Sequence, residues 1–241
     1  IISKMIKENR IVFLTGNPGD GKTFIIKYQM NKLENSYIVP DLNSIDLESD
    51  KGRELIDNLY SCYVDNRPAI IAANEFPFHA LAIKLKYEHP DMYEELNAVR
   101  NNILHIGYTT FNLRKICIID LNERNLLDPN CNVVGIILSK FTEMLRPYKN
   151  TNSVLRHNVD ALSDKNIQNQ VSKIFENISL TGKHFVIRDI LLSIANLLVK
   201  CTDSETEDSG YYYDALFEGD NDVMNYAAQF DPILLTMPSL D

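Results

Sequence analysis

The sequence predicts an α/β fold with a mainly parallel sheet, followed by a small, mostly helical domain. Three observations carry that prediction. Strand-like and helix-like segments alternate through the first two-thirds of the chain. The apolar run Ile11-Val12-Phe13-Leu14 leads into Gly16-Asn17-Pro18-Gly19-Asp20-Gly21-Lys22-Thr23, a glycine-rich turn that opens a helix. Beyond Val133 only helical periodicity remains.

Taken in order, Ile11–Thr15 is the first strand, an apolar run expected to be buried. A helix follows the glycine-rich turn, from about Lys22 to Lys32. Ser36–Pro40 is a short second strand, and Asp41–Asp46 a polar loop. An amphipathic helix runs from about Gly52 to Val64, stopped by Arg67-Pro68. The third strand, Ala69-Ile70-Ile71-Ala72-Ala73, ends in Asn74-Glu75. Helices follow at about Phe78–Tyr87 and Pro90–Ile103, then the fourth strand, Lys115–Leu121. Val133–Leu145 reads as helix, Pro147–Ser153 as a polar linker. Further helices are expected near Val154–Leu162, Ile167–Ile178 and Phe185–Cys201. Asp203–Asp208 reads as a solvated acidic loop, and Tyr211-Tyr212-Tyr213 with Leu216 and Phe217 as a segment packed back onto the helices. The expected division is a core over 1–146 and a helical lid with its C-terminal segment over 154–241.

The turn fits the P-loop pattern G-x-x-x-x-G-K-[ST] and lies between strand and helix, as phosphate binding requires. Gly16, Gly19 and Gly21 let the backbone turn and bring N–H groups toward phosphate oxygens. Asn17, Pro18 and Asp20 complete the loop. The helix dipole favours the same anion. Lys22 is expected to reach the β- and γ-phosphates, and the Thr23 hydroxyl to bind Mg²⁺. The fold class is thus a P-loop NTPase core with a helical lid.

Hydrolysis needs further groups. Glu75, at the end of the third strand, suits a general base for the attacking water. Asn74 stands where an Asp usually holds the Mg²⁺ shell; it can bond a metal-bound water but adds no charge. At the tip of the fourth strand, Asn122 is the first choice for touching the γ-phosphate or positioning the water. Asp120 is second, and the alternative metal-shell acid. Arg188, opening a long apolar helix, is a candidate to close onto the nucleotide, because a guanidinium suits phosphate oxygens; pairing with Asp189 is its plainer role. Arg124, Arg146 and Arg156 are further candidates for a finger reaching a neighbouring subunit.

Composition narrows the partners. The net charge is −9 and the pI about 5.1, which argues against a broadly basic nucleic-acid surface, so DNA contact would be indirect. Cys62, Cys117, Cys131 and Cys201 form no C-x-x-C pair, and the five histidines do not cluster. Structural zinc is not expected, and a reduced cytoplasmic setting is. No apolar run reaches the length of a membrane span. The chain begins at Ile1 and reads as part of something longer.

The loop, the third-strand acid, the fourth strand with its Asn122 and Leu126-Leu127-Asp128-Pro129, and Gly182–Leu191 with Arg188 resemble AAA+-type ATPases. A closer resemblance is to the DptF family, ATPase-like restriction factors of bacterial DNA-phosphorothioation defence systems. It includes Tyr37–Asp41, Ala72–Glu75, Ile119–Pro129, Tyr211–Gly219 and Phe230-Asp231-Pro232, and spans nearly the whole chain. The resemblance implies an ATP- and Mg²⁺-dependent ATPase subunit of an antiphage or restriction complex, with other subunits of that complex as partners and self-association a further option. Asn74 departs from the pattern. It keeps open a nucleotide-gated switch or scaffold with little turnover. A nucleoside kinase is disfavoured, because no second phosphate site or Arg-rich lid is visible. ATP is preferred over GTP because no Asn/Thr-Lys-x-Asp guanine-reading sequence occurs.

Overall fold

All five side chains of Ile11–Thr15 are buried, so this strand (β1) must satisfy its backbone by pairing on both edges and be covered on both faces. A computed structural model of the protein describes residues 1–33, 35–106, 115–128, 130–180, 182, 184–199, 210–217 and 227. The chain divides into two units, Ile1–Arg124 and Asn125–Asp241.

The first unit runs α1 (Ile2–Lys7), β1, α2 (Lys22–Tyr28), β2 (Tyr37–Val39), α3 (Asp50–Val64), β3 (Ala69–Ala72), α4 (Glu75–Glu88), α5 (Pro90–Ile106) and β4 (Ile116–Asp120). Its described strands form one all-parallel sheet in the order β2-β3-β1-β4. Register sets Ile11 beside Ala69 and Ile116, and Thr15 beside Asp120. Alternate residues face opposite sides. Phe13, Ile71 and Ile118 pack under α3, α4 and α5, with the Phe13 and Phe78 ring centroids 5.2 Å apart. Val12, Leu14, Ile70 and Cys117 pack against α1 and α2 through Ile2, Ile6 and Ile26. Burial pushes the Cys117 thiol up to about 11, as suits an inert core cysteine. The helix expected over Lys22–Lys32 ends at Tyr28 and continues as a 3-10 turn, Met30–Lys32. The helix α1 carries no strong signal in the sequence; three of its six residues, Ile2, Met5 and Ile6, are buried.

The second unit contains α6 (Val133–Leu145), α7 (Ser153–Leu162), α8 (Lys165–Leu180), α9 (Ile187–Val199) and α10 (Tyr212–Phe217). The boundary therefore falls at Arg124, earlier than the expected break after residue 146. The reason is the apolar face of α6. Val134 and Leu138 pack with Leu155, Val159, Phe175, Ile190 and Ile194 of the second unit. The expected linker is a 3-10 turn, Arg146–Thr151, leading into α7. There Asn152 caps the helix by accepting from the Val154 and Leu155 amides. Ala215 and Leu216 of α10 join the same core, so the Tyr211–Tyr213 segment packs as expected. Cys201, Asp203–Asp208 and Phe230-Asp231-Pro232 lie outside the described residues. Among the described residues, no helix is long and apolar enough to cross a membrane.

One buried amide organises the second unit. Asn158, on α7, is 1% exposed. Its Nδ2 donates to the carbonyls of Gly210 (3.1 Å) and Leu198 (3.4 Å), and its Oδ1 accepts from the Tyr212 amide (2.9 Å). It thus joins the end of α9 to the start of α10. Asn158→Ala is expected to cost about 2 kcal/mol, because buried backbone partners lose their hydrogen bonds. Urea unfolding followed by circular dichroism measures this.

Candidate functional site

Parallel pairing brings the C-terminal ends of all four described strands to one edge of the sheet. In open α/β sheets this is the edge where ligands sit. Here it collects the loop after β1, Asp41 after β2, Asn74 and Glu75 after β3, and Asp120 and Asn122 at the end of β4.

The loop from Gly16 to Gly21 joins β1 to α2, and its glycines all have positive φ: 140°, 100° and 83°. A side chain is hardest to accommodate at Gly16. A Cβ there would lie 2.6 Å from Asp20 Oδ2 and 3.1 Å from Leu121 Cβ. Asp20 is 2% exposed and turns its carboxylate into the loop. Its Oδ2 accepts from the Asn17 amide at 2.6 Å, while the Asp20 amide donates to Asn17 O at 3.2 Å. Lys22 is buried and donates to the loop carbonyls of Gly16 (2.9 Å) and Asn17 (2.7 Å). Burial pushes the Lys22 ammonium below its ordinary range; Asp20, Asp41 and Asp120 oppose this, and Arg124 adds to it. Thr23 Oγ1 donates to Pro40 O at 3.1 Å, tying the start of α2 to the end of β2.

Asn122 links three parts of this edge. Its Oδ1 accepts from the same Asn17 amide (3.1 Å), its Nδ2 donates to Glu75 Oε1 (3.1 Å), and its amide donates to Asp120 Oδ1 (3.0 Å). Glu75 is the first residue of α4 and is exposed, and Asn74 is the residue before that helix. The Asn74 amide donates to Asn43 Oδ1 at 3.1 Å. Asn43 in turn bonds Asp41 through both its amide and its side chain. Arg124, one of the three finger candidates, is hydrogen-bonded within its own unit. Its Nη2 donates to Asp20 O (2.9 Å) and approaches Asp20 Oδ1 (3.3 Å), and its Nε donates to Leu121 O (3.2 Å).

Gly16, Asn17, Pro18, Gly19, Asp20, Gly21, Lys22, Thr23, Asn74, Glu75, Asp120 and Asn122 therefore share one edge of the first unit. Arg188 belongs to the second unit, exposed in the first turn of α9. Its neighbour Asp189 accepts from the Val186 amide, a cap on that helix. Arg146 is exposed, and Arg156 lines a surface groove of about 470 Å³ with His157, Asp160 and Asp164. The residue that the sequence reading passed over is Asp41. The short strand before it is legible in the sequence, but only the pairing of β2 with β3 brings Asp41 to this edge. Among the described residues, no group of three or more His, Cys, Asp or Glu side chains forms a metal site by itself.

The first unit is an α/β protein whose described sheet is all parallel, compatible with a Rossmann-like core, with a glycine-rich loop after its fully buried strand β1. Comparison with protein-family models, curated proteins and solved structures gives no match. Gly16→Ala is expected to cost about 2 kcal/mol, because it forces a side chain into a positive-φ position and onto the Asp20 carboxylate. A thermal or urea melt of the variant measures this.

Proposed function

We propose that the first unit binds ATP with Mg²⁺ at the Gly16–Thr23 loop and hydrolyses it. The observation that carries the reading is the shared edge. A three-glycine loop with a buried lysine stands beside two amides and three carboxylates from the other strand ends. Backbone N–H groups and Lys22 suit phosphate oxygens. The donor set also fits a hard divalent cation. Mg²⁺ keeps several waters and takes one or two carboxylates plus substrate phosphates. The Thr23 hydroxyl and the Asp41 carboxylate would hold it, with Asn74 reaching it through water and Asp120 the alternative acid. When bound, the cation draws charge from the phosphates and eases loss of the leaving group.

Glu75 takes the proton of the attacking water, and Asn122 orients Glu75 and the water. The resemblance to the DptF family extends the reading to a bacterial antiphage or restriction complex. There the chain would work with other subunits, in the cytoplasm, and drive or gate assembly or DNA processing.

A second reading has its own support. Glu75 is already held by Asn122, and position 74 lacks a carboxylate. Both favour a nucleotide-gated switch with little turnover.

Equilibrium binding and turnover assays, with and without duplex DNA, test these readings. Lys22→Ala should lose ATP binding. Asp41→Ala should lose the Mg²⁺ dependence of binding and at least about tenfold in affinity. Glu75→Gln should bind ATP and retain it, with turnover reduced at least about 100-fold. Wild-type protein that binds ATP without hydrolysing it, with DNA or without, would favour the switch over the enzyme.

A further inference from the structure

We infer that Asp20 is a built-in occupant of the anion loop, so that a phosphate binds only by displacing its carboxylate. The inference rests on the phosphate-binding reading above. Two groups that would meet an arriving phosphate, the Asn17 amide and the Lys22 ammonium, are already engaged within the chain. The Asn17 amide is taken by Asp20 Oδ2 at 2.6 Å, and the Lys22 ammonium by the Gly16 and Asn17 carbonyls. The carboxylate fills the space beside Gly16 that a Cβ would otherwise occupy.

A buried carboxylate is costly unless it is paired and hydrogen-bonded. The Asp20 side chain is 1% exposed, and Arg124 meets that need from the turn after β4. The loop is therefore closed by its own anion. A phosphate cannot share the Asn17 amide with a second negative oxygen at that distance, because like charges in a poorly solvated site repel strongly. Binding exchanges one anion for another.

The exchange also reaches Glu75. The contested Asn17 amide is bonded to Asn122, and Asn122 holds Glu75. Displacing Asp20 changes the partners of the Asn17 amide. Asn122 can then shift, and its hold on Glu75 with it. Phosphate arrival and release of Glu75 are one linked event.

Calorimetric titration of Mg·ATP into wild type, Asp20→Asn and Asp20→Ala tests this. Both variants should bind at least about tenfold more tightly than wild type. Without nucleotide they should melt at a lower temperature than wild type, yet gain a larger rise on adding Mg·ATP. A merely structural Asp20 would lower both melting temperatures and leave affinity equal or weaker. That result, in variants with wild-type circular dichroism, overturns the inference and leaves the phosphate-binding reading standing. If neither wild type nor the Asp20 variants bind Mg·ATP, the phosphate-binding reading falls and this inference with it. A measurement on the unaltered chain needs no substitution. The ¹³C resonance of the Asp20 carboxyl should move when Mg·ATP is added, and a stationary resonance at saturating nucleotide overturns the inference.

Discussion

Strand β1 has no face and no edge in water. Its side chains are buried on both sides of the sheet, and β3 and β4 pair with its two edges. Because both neighbours run parallel to it, their C-terminal ends arrive beside its own. The loop, Glu75 and Asn122 are neighbours for this reason, although they lie far apart in the chain. The apolar cores above and below the sheet keep the strand ends fixed, and short polar side chains can then span the gaps between them. Weakening the packing around Phe13 or Leu14 would disturb the site without touching any of its polar groups.

The polar edge is balanced by small charges and amides. Lys22 lies in the field of Asp20, Asp41 and Asp120, Arg124 pairs with Asp20, and Glu75 is exposed. Arg124 and Lys22 divide the work. The guanidinium is fixed on Asp20, while the ammonium rests on carbonyls. An ammonium on carbonyl oxygens gives up less than one paired with a buried carboxylate, so Lys22 is the more easily redirected of the two.

Much of this fold was legible in the sequence, and for identifiable reasons. Ile11–Thr15, Ala69–Ala72 and Ile116–Asp120 are short, continuous apolar runs bounded by turn residues, the pattern that strands buried in a parallel sheet show. The loop was legible because its glycines are needed at positive φ. Asp41 was not, since the second strand is legible but its place in the sheet beside β3 is not. Nor was the unit boundary. Pro147 looked like a break, yet a proline in the first turn of a helical segment is well tolerated. The Asp20–Arg124 pair joins residues at opposite ends of the first unit's sequence, and no local pattern announces such a contact. Local rules find elements, whereas long-range polar contacts emerge only when the elements are assembled.

The topology also has a consequence for synthesis. One edge of β1 has no partner until residues 116–120 have left the ribosome, because β4 fills that edge. At about 5–20 residues per second, the nascent chain carries this apolar strand incomplete for on the order of 5–20 s. During that time its unpaired backbone is a template for the wrong neighbour. The first unit therefore folds late relative to its own first strand, and its yield in the cell depends on how well that strand is shielded while it waits.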